Sequence, residues 1–210
     1  MTPSPNPVLR KSAPLALSMA ATVALFYLTF YLPLAAVTYT SPWHKWNCHV
    51  HERCEILGLE RSYLSIDQLR AYLLHRAPLE ARYGWSEKER THLAEVRVIL
   101  DAVFFGALSA AALLALTWRP RRIARAALVN LGLLVALACI LPFFKTFWRE
   151  VFHPLLFDND LWKNNRGDIS WYLMPRVFFF NSSLLILGLA GLLNALVWWL
   201  HRGRGEQPPG

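Results

Sequence analysis

The sequence predicts an all-α membrane protein with four transmembrane helices, an amphipathic surface helix and extracytoplasmic loops. Of its 210 residues, 55% are hydrophobic and only 17% are charged. This composition is too apolar for a soluble domain of this size. The apolar residues also fall into four long runs, and a helix of about 20 such residues crosses the roughly 30 Å hydrocarbon layer. We therefore interpret residues 1–210 as a single integral membrane domain.

The order of the spans and the charges between them predict the topology. The spans are approximately residues 13–37, 98–118, 126–144 and 177–200, with outer loops at residues 38–97 and 145–176. The three short segments on the other side hold eight basic residues against one acid, which places both termini in the cytoplasm by the positive-inside rule. The first run is longer than the core of a cleaved signal peptide, so we expect an uncleaved anchor. The net charge of +8 then predicts contacts with anionic lipid headgroups and no nucleic-acid partner.

Two helix-start signals lie in the first outer loop, Ser65 with Gln68 and Ser86 with Glu89, each with the spacing of a capping box. After the second signal no helix breaker occurs before Pro120, which predicts one continuous helix through the second span. The first signal predicts a short amphipathic helix on the membrane surface. Its apolar face consists of Ile66, Leu69, Tyr72 and Leu73.

Polar side chains within and beside the spans predict internal contacts. Arg97 and Asp101 are four residues apart, which is the spacing of an ion pair on one helix face. Inside the spans lie Asn130, Asn181 and Asn194, and we expect their amides to form hydrogen bonds between helices.

Two histidines, His92 and His153, lie just beyond the outer ends of the second and third apolar runs. Neutral imidazole is well suited to moving protons at neutral pH, and this depth is where lipid ester groups meet water. Glu89 and Glu95 lie three residues to either side of His92 on the same helix face. The alternative is a solvated acidic face that carries an incidental histidine.

The second outer loop combines aromatic and polar residues. An interfacial aromatic belt alone would not require so many interleaved aspartates and asparagines. The chain has no nucleophile elbow, phosphate loop or zinc-protease motif, which favours acid–base chemistry if the protein is an enzyme. The aromatic members are Phe147, Trp148, Phe152, Phe157, Trp162, Trp171 and Tyr172, and the polar members are Asp158, Asn159, Asp160, Asn164, Asn165 and Asp168.

Cysteine and histidine residues cluster in the first outer loop at Cys48, His49, His51 and Cys54. These residue types suit zinc or copper. The loop faces outward, however, where two cysteines six positions apart commonly oxidise. We interpret Cys48 and Cys54 as a structural disulfide and expect no metal, with a metal site or unpaired thiols as the alternatives.

The outer segments resemble the bacterial lipoprotein intramolecular transacylase family, whose members have four spans. Two positions differ from the family pattern, because Glu95 stands where aspartate is usual and Arg176 stands where the family has an acid. The residues that carry the resemblance are Ser65, Asp67, Leu69 and Arg70, then Glu89, His92, Leu93 and Val96, then Phe152, His153, Phe157, Asn159, Asp160 and Trp162, and finally Asp168, Pro175, Phe178 and Phe179.

The resemblance implies an acyl transfer within one substrate molecule. The family moves the sn-2 acyl chain of a diacylated lipoprotein onto the α-amino group of its N-terminal cysteine, which gives a lyso-form lipoprotein. The catalytic candidates carried over are His92 and His153. Either can be the base, and we assign His92 to that role, with the other imidazole acting on the oxyanion or the leaving oxygen.

Supporting residues and location follow from this reaction. As orienting residues for the imidazoles we expect Glu89, Asn159 and Asp160, and as walls of the substrate site Tyr72, Phe152 and Trp162. We expect no cofactor, diacylated lipoproteins and membrane lipid as partners, and a monomer. The expected location is the bacterial cytoplasmic (inner) membrane, multi-pass, with the active site on the extracytoplasmic side.

Two other classes of function stay open at this point. Four spans with a cysteine pair in an outer loop are also found in membrane thiol oxidoreductases, although only Cys139 is available as a further thiol. A non-catalytic membrane adaptor or assembly factor would use the aromatic and polar outer loop to bind a protein partner. Convergence of the two histidines beside a lipid-sized opening would favour the enzyme.

Overall fold

The computed structural model describes residues 7–203, and all regular secondary structure within this range is helical. Four helical stretches are long and apolar enough to cross a membrane, namely Leu15–Tyr39, Glu87–Thr117, Pro120–Leu156 and Arg176–His201. The predicted all-α, four-span fold class is confirmed.

Short helices occupy much of what the sequence predicts as outer loops. The helix α6 begins at Pro120, before the predicted third span, because proline is favoured in a first helical turn and arginine is a good helix former. The segments in chain order are α1 (Pro7–Tyr39), α2 (Ser41–His51), α3 (Arg53–Leu57), α4 (Leu59–Leu73), a 3₁₀ turn (Ala81–Tyr83), α5 (Glu87–Thr117), α6 (Pro120–Ala138), a 3₁₀ turn (Leu141–Phe143), α7 (Phe144–Thr146), a π-helical segment (Phe147–Phe152), α8 (His153–Leu156), α9 (Ile169–Leu173) and α10 (Arg176–His201).

The chain forms two compact units. The first contains the chain up to Leu32, Val103–Ala138 and the chain from Leu187 onward. Its core is rich in small residues, since Ala21, Ala24, Ala126 and Ala127 are almost completely buried. Small side chains let helix backbones approach closely in a membrane, where apolar contact alone gives little driving force.

Asparagine amides connect the helices of this first unit. The Nδ2 of Asn194 donates to Thr29 Oγ1 at 2.8 Å, and the Nδ2 of Asn130 donates to the Thr22 carbonyl at 3.3 Å. Within the second unit, Asn181 Nδ2 donates to Asn47 Oδ1 at 3.0 Å. The prediction that these asparagines form hydrogen bonds between helices is confirmed.

The second unit contains Pro33–Ala102 and Cys139–Ile186. The predicted apolar face of α4 is buried, and it packs with Trp85, Leu93, Ile169 and Leu173 in one core. The helix begins at Leu59, so the prediction that Ser65 starts it was wrong. Gly58 precedes the helix with a φ of 92°, a conformation that favours glycine, whereas Ser65 is buried inside the helix.

The second helix-start signal is confirmed. Glu89 N–H donates to Ser86 Oγ at 3.2 Å, and Ser86 N–H donates to Glu89 Oε2 at 3.0 Å, which is a reciprocal capping box. The helix α5 then runs without interruption to Thr117, as the absence of a breaker predicts.

The predicted pairing of Arg97 with Asp101 was wrong. His75 follows the end of α4 with a positive φ of 57°, and its Nε2 lies 2.9 Å from Asp101 Oδ1. The guanidinium of Arg97 instead lies 4.2 Å from the centre of the Tyr72 ring. Asp101 therefore pairs with a residue of the turn after α4 and not with the neighbour on its own helix that periodicity suggests.

Candidate active site

A change of helix type positions His153. Its N–H bonds to the Trp148 carbonyl at the end of the π-helical segment, and Pro154 follows it. Proline has no N–H to continue the ordinary helical ladder, and such π turns are frequent at functional sites. The sequence therefore fixes an imidazole at the junction between the π-helical segment and α8.

The imidazole of His153 is buried among aromatic rings. It stacks on Trp162 with ring centroids 4.2 Å apart, and Phe152 lies 5.4 Å away. Its Nδ1 lies 2.6 Å from the Trp148 carbonyl oxygen. Because a carbonyl can only accept, this contact places the hydrogen on Nδ1 and leaves Nε2 with a free lone pair.

His92 lies on α5 beside a carboxylate. Its Nδ1 is 3.5 Å from Glu95 Oε2, and each of these buried atoms has no hydrogen-bond partner among the described residues. The other oxygen, Glu95 Oε1, accepts a hydrogen bond of 2.7 Å from Asn159 Nδ2. The loop residue Asn159 thus holds the carboxylate that faces His92.

The two histidines converge on one phenylalanine. The ring centroid of Phe157 lies 4.7 Å from that of His92 and 5.9 Å from that of His153. A cavity of about 260 Å³ is lined by Glu95, Val98, Ile99, Leu156, Phe157 and Asp158. It therefore borders Glu95 and Phe157, which contact the imidazoles, but neither imidazole lines it.

An ionic contact fastens the loop that carries Asn159 and Trp162. Asp168 is buried, pairs with Lys88, and accepts hydrogen bonds from the Asn165 N–H at 2.8 Å and from Ser86 Oγ at 3.2 Å. Burial alone would raise the pKa of the Asp168 carboxyl, but the Lys88 ammonium and the other donors outweigh it and hold that pKa below its usual value. The carboxylate therefore stays charged and closes the loop against the start of α5.

Three of the expected supporting residues lie at the histidines. Phe152 and Trp162 contact His153, as described above, and Asn159 reaches His92 through Glu95. Their roles in substrate binding and orientation remain predictions. Glu95 was not assigned a role from the sequence, although its position three residues after His92 on one helix face is a signal that could have identified it.

The other three expected residues have different surroundings. Tyr72 packs inside the core of the second unit and does not line the cavity beside His92. Asp160 is exposed and its Oδ1 lies 2.6 Å from Lys163 Nζ. Periodicity and loop composition alone could not distinguish these surroundings from a substrate site.

Glu89 also differs from the expectation that it orients an imidazole. In addition to the capping contact with Ser86, its Oε1 accepts hydrogen bonds of 2.7 Å from both the N–H and the Oγ of Ser170. All the contacts that the Glu89 carboxylate makes with the described residues are therefore structural. Glu89 connects the start of α5 to α9.

We expect Glu89→Ala to lower the free energy of unfolding by about 3 kcal/mol, because buried donors on Ser86 and Ser170 would lose their acceptor. Thermal or denaturant-induced unfolding of the purified protein in detergent measures this. The exposed Glu87 in the same turn provides the control, and Glu87→Ala should unfold almost like the unchanged protein. Equal stability of the two variants would show that the Glu89 contacts contribute little.

Cys48 and Cys54 are joined by a disulfide in the second unit. His51 lies beside them, and one of its ring nitrogens and the two sulfurs lie within 4.8 Å of one another. Because the sulfurs are bonded to each other, they are not available as thiolate ligands. This cluster does not include His92 or His153.

Comparisons with known proteins give a family and a fold. The family model described as lipoprotein intramolecular transacylase matches residues 18–179. A solved structure of the membrane-integral lipoprotein intramolecular transacylase from Bacillus cereus is 18% identical and superposes with a TM-score of 0.80 over 89% of this chain and 93% of that chain. No curated protein sequence matches the chain.

Two further structures of the Bacillus cereus protein carry a substitution of one histidine. The alanine variant is 18% identical, with a TM-score of 0.79 over 94% of this chain and 96% of that chain. The arginine variant is 17% identical, with a TM-score of 0.78 over 93% of each chain. At this identity the superpositions establish a shared fold.

Proposed function

Because the chain belongs to the lipoprotein intramolecular transacylase family, we propose that His92 and His153 are its catalytic residues. The protein is a multi-pass bacterial membrane protein and an acyltransferase that acts on lipoproteins. The observation that carries the catalytic assignment is the convergence of both imidazoles on Phe157, which with Glu95 borders a cavity.

The reaction moves an acyl chain within one substrate molecule. The α-amino nitrogen of the lipoprotein's N-terminal cysteine attacks the sn-2 ester carbonyl, a C–N bond forms, and the ester C–O bond breaks. The amine loses a proton and the departing glycerol oxygen gains one, so no oxidant, reductant or cofactor is required. The protein has to position the two groups, transfer the protons and limit access of water.

His153 is best suited to accept the amine proton. The Trp148 carbonyl fixes the hydrogen on Nδ1, and Nε2 has no protein partner among the described residues, so its lone pair is available to a substrate. This reverses the assignment of His92 as the base. An oriented neutral imidazole is the usual form of a histidine base at neutral pH.

His92 is suited to the complementary role. The Glu95 carboxylate faces its Nδ1 and would stabilise the ring once it is protonated, so that the ring can donate to the carbonyl oxygen as negative charge develops or return a proton to the leaving oxygen. Asn159 holds the carboxylate through its other oxygen. Catalytic contacts commonly shorten only when substrate is bound, so the 3.5 Å separation of His92 from Glu95 is compatible with this role.

The surroundings are appropriate for a lipid ester. Phe152 and Trp162 border His153, and the cavity beside His92 is mostly apolar, with Val98, Ile99 and Leu156 in its lining. The charge distribution of the chain supports a location of this site on the extracytoplasmic side of the bacterial cytoplasmic membrane. The acyl chain moves within one substrate, so one copy of the protein carries all the groups that the mechanism uses, and we propose a monomer.

Mass spectrometry of lipoprotein N-termini tests the proposal. A bacterial host that lacks its own amine acylation would express this protein, and its lipoproteins would be compared with those of the empty host. We expect an amide-linked acyl chain on the N-terminal cysteine and loss of the ester chain from the sn-2 position. Unchanged N-termini, despite protein present in the membrane, would contradict the assigned reaction.

Removal of the disulfide tests the redox alternative. We expect Cys48→Ser with Cys54→Ser to lower the free energy of unfolding by about 2 kcal/mol, because a short loop is no longer closed in the unfolded chain. Acyl transfer should persist, since neither sulfur contacts the two catalytic histidines. The measurements are thermal unfolding and N-terminal mass spectrometry. Complete loss of acyl transfer by a folded double variant would place the sulfurs in the mechanism.

A further inference from the structure

A second cavity, of about 690 Å³, lies in the second unit and shares no lining residue with the pocket beside His92. This volume is within the range of small-molecule sites in proteins. Its lining contains three cationic side chains, Arg53, Lys145 and Arg176, and no acidic residue. The mechanism proposed above uses none of these three cations.

The positive charge of this cavity is not balanced by the protein. Among the described residues, Arg53, Lys145 and Arg176 form no ion pair. The guanidinium of Arg53 stacks 3.9 Å above the Trp171 ring and donates to the Trp171 backbone carbonyl at 3.1 Å. These contacts fix the guanidinium without neutralising its charge. Burial is the largest cause that lowers the pKa of Arg53, and the like charges of Arg166 and Arg176 lower it further. An anion would relieve this repulsion.

The rest of the lining is apolar. Leu141, Phe144, Val177 and Phe180 contribute hydrocarbon and aromatic surface to the same cavity. Arg176 begins one membrane-spanning stretch, and Lys145 lies in the outer part of another. Cationic side chains near the ends of spans reach the headgroup region. An occupant with one anionic end and one apolar end would therefore match both parts of the lining.

We propose that this cavity binds an anionic glycerophospholipid, with its phosphate at Arg53, Lys145 and Arg176 and the start of its acyl chains against Phe180 and the neighbouring apolar side chains. A zwitterionic lipid fits less well, because its ammonium group would find no carboxylate in the lining. The diacylglycerol of the lipoprotein substrate is bound to sulfur and carries no phosphate, so this lipid part offers the three cations no anionic headgroup. The bound lipid is therefore distinct from the substrate.

The cavity is connected to the catalytic region by packed rings. Phe144 lines the cavity and stacks on Trp148 with centroids 5.4 Å apart, and Trp148 in turn contacts His153 at 4.7 Å. A lipid that fills the cavity would support this aromatic wall. We therefore expect lipid binding to raise the thermal stability of the second unit.

Lipid titration of the purified full chain in neutral detergent tests the inference. Phosphatidylglycerol and phosphatidylethanolamine with the same acyl chains would be compared by native mass spectrometry and by thermal unfolding. We expect phosphatidylglycerol to bind about tenfold more tightly. Removal of two cations by Lys145→Gln with Arg176→Gln should weaken its binding at least about tenfold, since each surface cation contributes on the order of 1 kcal/mol toward an anionic lipid.

A matched double variant separates a specific site from general charge attraction. Arg82→Gln with Arg149→Gln removes the same charge from two exposed arginines outside the cavity, and it should retain the affinity for phosphatidylglycerol. Lys145 and Arg176 are both exposed, so the fold should tolerate their replacement. Lipid binding by the single variant Lys145→Gln provides a second measurement.

Three results would overturn the inference. These are equal binding of the two lipids, equal binding by the two double variants, and displacement of the lipid by inorganic phosphate alone at low concentration, which would indicate a site for free anions. The readout is lipid binding, so it is independent of whether the proposed catalytic residues are correct.

Discussion

Expression of the His153→Ala variant in a host that lacks amine acylation is expected to give lipoproteins without the amide-linked acyl chain. The substitution removes the imidazole that we propose as the proton acceptor, and general acid–base groups contribute about 100- to 10,000-fold to rates. His92→Ala should reduce the rate by a similar factor, because it removes the donor that we propose for the developing oxyanion. Mass spectrometry of lipoprotein N-termini at early times after induction measures the rate.

A third histidine provides the control for this prediction. His49 is exposed and bonds to Tyr63 at 2.8 Å, away from the two catalytic candidates. His49→Ala should leave the rate within about twofold of the unchanged protein, the usual consequence of a surface change away from buried contacts. If His153→Ala retained more than about a tenth of the rate while its thermal unfolding was normal, His153 would not be the base.

The four spans were predictable because they depend on composition and length. A run such as residues 177–200 remains apolar in any arrangement of its neighbours, and the lipid environment requires that such a run be helical. The Ser86 and Glu89 capping box was predictable for a similar reason, since both partners lie within one helical turn. Local chemistry therefore determined these elements.

Contacts between distant segments were harder to predict. Glu89 and Glu95 lie symmetrically about His92, and spacing alone does not indicate which of the two carboxylates faces the imidazole. The outcome depends on two hydrogen-bond donors: Ser170 donates to the Glu89 carboxylate, and Asn159 donates to the Glu95 carboxylate. Both partners lie far along the chain, so their arrangement results from tertiary packing.

The same limitation explains the error at Asp101. Helix periodicity offered Arg97 as its partner, but the reversal of the chain at His75 brings an imidazole to the carboxylate. The positive φ of His75 could not be anticipated, because glycine and asparagine are the usual residues at such positions. Short-range rules identified both charged residues but not their partners.

Glu95→Gln is expected to lower the rate of acyl transfer by about 10- to 100-fold, with little change in the substrate concentration at half-maximal rate. The amide keeps the size of the side chain but loses the charge that favours a protonated His92. Glu95→Asp should recover part of the rate, because the charge is restored and only its distance changes. Initial rates with a purified diacylated lipopeptide measure both effects.

Asn159 should act through Glu95, and a double-mutant cycle can test this. Asn159→Ala removes the 2.7 Å hydrogen bond to Glu95 Oε1 and should slow the reaction several-fold. In the Glu95→Gln background the same change should have little further effect, because its target is already altered. Asp160→Asn is the neighbouring control and should react at the normal rate, since Asp160 is exposed and paired with Lys163. Fully additive losses in the double variant would mean that Asn159 acts independently of the carboxylate.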